Sequence, residues 1–338
     1  MSKSDQTAAA LPPVRLGSTG PLVPPIALGC MGLSGAYGAA DGDEGVATIR
    51  AAIDRGVTLL DTGDFYGMGH NELLIRRALA DLAPSRREKV QLSVKFGALR
   101  GPDGAWLGVD TRPQSVKAFA AYSLKRLGVD VIDVYRPARL DPAVPIEDTI
   151  GAIADLVKAG YVRHIGLSEV GVETIERAHK VHPIVDLQIE YALATRGPEA
   201  RIFPALRRLG IGATVYGVFS RGLLTGSRPM GKGDFRTWLP RFSPQHQEQN
   251  RAATESLQAF AAERGLTPAQ LALSWVLTRQ PGFVAVIGAR TRAQLDDALG
   301  ARLLSEDEAQ AVEALLPQGA VAGSRYGEEQ MKHLDSER

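Results

Sequence analysis

Cysteine is nearly absent from this chain of 338 residues. The single thiol, Cys30, excludes an internal disulfide framework and any zinc cluster built on cysteines, and it fits a reducing compartment. Aromatic residues are sparse, at 6%. Neither sign of charge dominates: 39 Lys and Arg stand against 38 Asp and Glu, interleaved along the length. That removes the basic stripe which nucleic acid or an anionic membrane would require. No apolar run is long enough to span a bilayer, and the opening residues MSKSDQTAAALPP lack the apolar core of a signal peptide. The expectation is a cytoplasmic protein with a disordered N-terminus over residues 1–13 and one folded domain over 14–338, C-terminal tail included.

What is present is an ordinary globular composition, 44% hydrophobic and 23% charged, arranged as a repeating unit without repeating sequence. Short Val/Ile/Leu runs predict strands at Ile26–Gly29, Thr58–Asp61, Val90–Val94, Val131–Tyr135, His164–Ser168, Val185–Glu190, Gly212–Gly217 and Val284–Ile287. Amphipathic stretches between them predict helices at Asp43–Arg55, His70–Leu82, Pro113–Leu127, Ile146–Ala159, Val172–His182, Pro198–Leu209, Asn250–Arg264, Pro268–Arg279 and Thr291–Leu299. Alternation of this kind implies an α/β protein with a parallel sheet and right-handed crossovers. Eight rounds fit a closed (β/α)8 TIM barrel. An open, doubly wound sheet would want Gly-x-Gly-x-x-Gly after the first strand, and Gly29-Cys30-Met31-Gly32-Leu33-Ser34-Gly35 does not supply it.

A barrel carries its chemistry at the C-terminal ends of its strands. Asp61 ends one apolar run there, Lys95 ends the next, and Tyr66 follows in the loop after Asp61. A carboxylate favours the ammonium form of a nearby lysine, and an ammonium beside a phenol lowers the tyrosine from its usual value of about 10. Together the three make a tunable proton donor. Taken singly, Asp61 reads equally as a turn cap, Lys95 as a solvated cation and Tyr66 as a packing aromatic.

The motifs LGCMGLSG, LLDTGDFYGMGHNE, SVKFG, IGLSE, LQIEYAL, VYGVFSRGLLTG and VIGARTRAQL, in this order from about Val14 to Tyr326, resemble the aldo-keto reductase superfamily, NAD(P)(H)-dependent barrels that interconvert carbonyls and alcohols. The resemblance implies Tyr66 as general acid, tuned by Asp61 and Lys95, with Met31, Gly32 and Asp61 touching the cofactor. It implies that Ser168 and Gln188 hold the nicotinamide carboxamide and that Tyr216 stacks on the ring, fixing which face delivers hydride. Gly217, Phe219, Ser220, Arg221 and Gly222 would meet the pyrophosphate, in the region where barrels commonly bind phosphate. Gly288, Arg290 and Gln294, at a helix start, would take the adenosine end, with Arg290 on the 2′-phosphate of NADPH. Ala298 stands where the family often has an asparagine for the adenine, so NADH is a second candidate cofactor. The implied partner is a small-molecule carbonyl substrate, without nucleic acid, membrane or metal, acting on a monomer or weak oligomer.

One departure is large. Where the family has a histidine before Arg-x-Asp-Pro, Tyr135-Arg136-Pro137-Ala138-Arg139-Leu140-Asp141-Pro142 has Ala138. Three accounts are open. Tyr66 and Lys95 suffice alone; Arg136, on the same side of the strand, supplies a donor; or the chain is a nucleotide-binding regulatory or interaction protein with little turnover. A methyl in place of imidazole also enlarges the pocket for a bulky ketone. The YRPARLDP form is similar to a bacterial subgroup lacking the histidine that includes reductases of 3-keto trichothecene mycotoxins such as 3-keto-deoxynivalenol. Substrate contacts are expected from the loop Gly97–Asp110 with Trp106, the loop Ser227–Ser243 with Phe235, Trp238 and Phe242, and the tail around Tyr326.

Overall fold

Eight short parallel strands close on themselves, each tied to its neighbours by evenly spaced ladder bonds. They are β1 (Ile26–Gly29), β2 (Leu59–Gly63), β3 (Gln91–Phe96), β4 (Ile132–Pro137), β5 (Val162–Ser168), β6 (Ile184–Glu190), β7 (Gly212–Tyr216) and β8 (Val284–Gly288), in chain order around the barrel. The computed structural model describes residues 11–231 and 233–337; positions 1–10 of the expected N-terminal tail lie outside them. Helices α1 (Gly42–Asp54), α2 (His70–Leu79), α3 (Pro113–Leu127), α4 (Ile146–Lys158), α5 (Val172–Val181), α6 (Ile202–Leu209), α7 (Pro244–Glu263), α8 (Pro268–Arg279), α9 (Arg292–Leu299) and α10 (Glu306–Leu315) form the outer layer. No helix among the described residues is long and apolar enough to cross a membrane.

Strand alternation sorts the side chains into two populations. Leu28, Leu60, Leu92, Val94, Tyr135, Leu167, Leu187, Ile189 and Ile287 face the helices in the main core. Ala27, Leu59, Val134, Val185 and Val284 face the barrel axis, where Leu16 and Val23 from the short N-terminal hairpin plug the floor. Above that floor the axis is polar. Ser93, Lys95, Arg136, Asp186, Gln188 and Thr214 are all buried there. A register shift in β6 between Ile184 and Asp186 lets both Val185 and Asp186 turn inward.

Local expectations need correction at four places. The stretch Pro198–Leu209 is a 3₁₀ turn at Gly197–Glu199 followed by α6, and the helix expected from Asn250 begins earlier, with Pro244 at its first position. The loop Gly97–Asp110 contains an antiparallel hairpin pairing Ala98–Arg100 with Trp106–Val109. Helix α10 was not expected, although its capping box joins Ser305 and Glu308.

Candidate active site

The axis-facing positions near the tops of β2 and β3 are Asp61 and Lys95, on neighbouring strands, with Asp61 level with Ser93 and Lys95 two residues further along. They form a buried ion pair. Asp61 also accepts from Ser93 Oγ at 2.8 Å and from Gln188 Nε2 at 2.7 Å. Burial disfavours the carboxylate, yet Lys95 and then Arg136 hold Asp61 below its ordinary value, so the pair is ionic.

Past β2 the chain turns through Tyr66–Gly69, where Gly67 and Met68 have φ of 55° and 53°. Asn71, at the start of α2, fixes this turn. It accepts from Thr62 Oγ1 at 2.6 Å and donates to Cys30 O at 2.8 Å and Ser34 Oγ at 2.7 Å, tying the loop after β2 to the loop after β1. Tyr66 is thereby set with the Lys95 ammonium 5.2 Å from its ring centroid. The expected lowering of its pKa is reversed. Burial raises Tyr66 well above the ordinary phenol value, and the Asp61 charge raises it further, while Arg139 pulls the other way. Tyr66 therefore stays protonated, which is the form that donates.

Arg136 does not reach the mouth. It is fully buried within the barrel, donating to Thr214 Oγ1 at 3.0 Å and Ser93 Oγ at 3.1 Å and facing Asp186 Oδ1 at 3.1 Å. It balances a second buried carboxylate. Gly166 makes room for it, since a Cβ there would lie 2.5 Å from Asp186 Oδ1 and 3.0 Å from Arg136 Nε. Ala138, just past β4, is buried with its N–H on Phe96 O.

The residues that the resemblance links to a cofactor line the same end of the barrel. Gly32 sits where a Cβ would meet the Tyr37 ring at 3.3 Å and Arg290 Cγ at 3.4 Å, with Met31 half-buried beside it. Ser168 Oγ, Ser220 Oγ and Arg290 Nε are buried and find no hydrogen-bond partner among the described residues. Such groups are rare in a finished interior and suit a polar ligand. The turn after β7 is left-handed at Gly217, Ser220, Arg221 and Gly222, with φ of 72°, 47°, 57° and 91°. For Ser220 and Arg221 that conformation costs on the order of 1–3 kcal/mol each, and such strain clusters at ligand clamps. The donor set therefore fits a dinucleotide.

Some of these groups have protein partners in this structure. Gln188 donates to Asp61, and Arg221 pairs with Glu190 at 2.7 Å while its guanidinium lies 4.4 Å from the Tyr326 ring centroid. Arg290 donates to Tyr37 O at 3.0 Å and to Ala39 O, and its own N–H is capped by Gln294 Oε1 at 2.8 Å. Phe219 is half-buried and Gly288 is exposed.

The sequence reading missed the buried charges that bind the tail. Glu169, one residue past Ser168, has a φ of 53° and accepts from Tyr216 Oη at 2.7 Å, Ser336 Oγ at 2.7 Å and Arg325 at 2.9 and 2.5 Å. Glu190, two residues past Gln188, meets Arg221, Arg241 and Arg325. The signal was available: Glu169 directly follows β5 and Glu190 ends β6, each at the close of an apolar run.

Relatives agree with this geometry. The sequence pattern of the Aldo/keto reductase family matches residues 25–317. The chain is 40% identical to "Probable aldo-keto reductase 1" of Glycine max over 328 residues, covering 95% of this chain and 93% of that one. Among solved structures it is similar to a glycerol dehydrogenase of Gluconobacter oxydans, with a TM-score of 0.81, 28% identity and coverage of 94% and 96%. It is also similar to an aldo-keto reductase of Bacillus halodurans solved in its holo form, with a TM-score of 0.75, 26% identity and coverage of 95% and 99%.

Proposed function

The chain belongs to the aldo/keto reductase family, and from that premise we propose that it reduces a ketone or aldehyde to an alcohol with NADPH, Tyr66 giving the proton. The observation that carries the reading is a protonated Tyr66 beside a buried Asp61–Lys95 ion pair at the barrel mouth. The reduced nicotinamide, when bound, supplies the hydride to the carbonyl carbon. As charge builds on the carbonyl oxygen, Tyr66 first hydrogen-bonds it and then releases its proton to it. Lys95 holds positive charge under the resulting phenolate, and Asp61 keeps that lysine ionised and in place. Met31, Gly32, Ser168, Gln188 and Tyr216 hold the nicotinamide end; Gly217, Phe219, Ser220, Arg221 and Gly222 hold the pyrophosphate; Gly288, Arg290 and Gln294 hold the adenosine end. In this reading Gln188 and Arg290 exchange a protein partner for the cofactor.

For the substrate we propose a bulky cyclic ketone, a 3-keto trichothecene being the concrete case. Support comes from the methyl of Ala138 and from an apolar rim: Met68, Leu107, Met230 and Trp238, on loops of the catalytic face, are 59%, 63%, 78% and 83% exposed. The same alanine favours a second reading, a nucleotide-binding regulatory protein with little turnover. Incubation with NADPH and a panel of aldehydes and ketones separates the two. Loss of reduced-cofactor absorbance with at least one carbonyl is expected; tight NADPH binding without turnover across the panel contradicts the reductase reading.

A further inference from the structure

The methyl of Ala138 cannot donate a hydrogen bond, but the next residue folds back over it: Arg139 Nη1 donates to Ala138 O at 2.6 Å. Among the described residues Arg139 forms no ion pair with a carboxylate, and its other donor goes to Tyr326 Oη at 3.3 Å. A guanidinium only donates, so at this contact Tyr326 accepts and keeps its own proton for another partner. That proton has a direction. Tyr216 Oη lies 2.7 Å from Glu169 Oε1, and an ionised carboxylate only accepts, so the single Tyr216 proton belongs to Glu169. In the 3.0 Å contact between the two phenols, Tyr326 is therefore the donor. Arg139, Tyr326, Tyr216 and Glu169 form a one-way chain in which only the Tyr326 proton is spent on a neutral phenol, and Arg139 ties that phenol to the carbonyl of Ala138.

We infer that Tyr326, held by Arg139, gives the second hydrogen bond to the substrate carbonyl oxygen, the role left open where the family has histidine and this chain has Ala138. The inference rests on the reductase reading above. A neutral phenol is a poorer acceptor than a carbonyl oxygen gaining negative charge, so the Tyr326 proton turns from Tyr216 to the substrate as hydride arrives. No proton leaves Tyr326; the one transferred comes from Tyr66. Guanidinium groups of Arg221, Arg325 and Arg139, at 4.4, 5.5 and 5.7 Å from its ring centroid, strengthen Tyr326 as a donor.

The test compares the full chain with Tyr326→Phe and with Tyr326→Phe combined with Ala138→His, using NADPH and a small aldehyde. Tyr326→Phe is expected to lower kcat by about 10²-fold, the usual cost of one lost oxyanion donor. NADPH affinity, read by fluorescence titration, and melting temperature should not change. Adding Ala138→His should restore most of the rate. Unchanged kcat in Tyr326→Phe, or a loss that the histidine does not repair, overturns the inference. No turnover by the unmodified chain on any carbonyl overturns the reductase reading, and the inference with it.

Discussion

Single side chains decide the chemistry, and their protonation states make testable statements. Because burial and Asp61 raise the Tyr66 hydroxyl, reduction should show no falling limb from this group below about pH 10; a limb near neutrality that disappears in Tyr66→Phe would contradict the assignment. Asp64 behaves differently. Burial and then the Glu72 charge push its carboxyl up to about 7, so between about pH 4 and that value the folded chain holds a proton which the unfolded chain has released. The resulting stability is present at acid pH and is lost as pH rises through this window. Melting temperature attributable to Asp64 should therefore fall between about pH 4 and pH 7, and Asp64→Asn should flatten that part of the profile. At Ala138 the prediction concerns volume. Ala138→His should lower kcat/KM for bulky cyclic ketones relative to small aldehydes by roughly five- to more than a hundred-fold, since overpacking costs about 1–3 kcal/mol. An unchanged ratio would remove pocket size as the reason for the alanine.

Elements were legible where a strand or helix keeps one period and opaque where tertiary contacts set the structure. Asp61 and Lys95 end apolar runs, so their place at the mouth could be read directly from the alternation. The hairpin after β3 could not: Ala98–Arg100 and Trp106–Val109 are too short and too exposed to alternate clearly. Nor could the path of the tail, whose position depends on ion pairs between residues more than a hundred positions apart, such as Arg325 with Glu169. The depression expected at Tyr66 failed for the same reason, because the sequence does not reveal how deeply the phenol is buried beside Asp61. The tail contact is itself testable. Arg325→Met leaves Glu169 as an uncompensated buried charge, which typically costs about 3–5 kcal/mol. Hydrogen exchange should rise over residues 324–337 before it rises in the barrel strands; uniform protection would show that the ion pairs do not hold the tail.

At the scale of the whole molecule, an apolar floor, a buried polar layer and a charged mouth are stacked along one barrel axis. The polar layer holds two buried ion pairs, Arg136 with Asp186 and Lys95 with Asp61, joined through the Ser93 hydroxyl. Under the proposed mechanism Tyr66 depends on Asp61 and Lys95, both present in this chain without the family histidine. The most direct measurement is single-turnover reduction of an accepted ketone by Tyr66→Phe at saturating NADPH, with NADPH affinity measured in the same preparation. The account requires the hydride-transfer rate to fall by orders of magnitude while NADPH affinity stays within a few-fold of the unmodified chain. A rate close to that of the unmodified chain would contradict it.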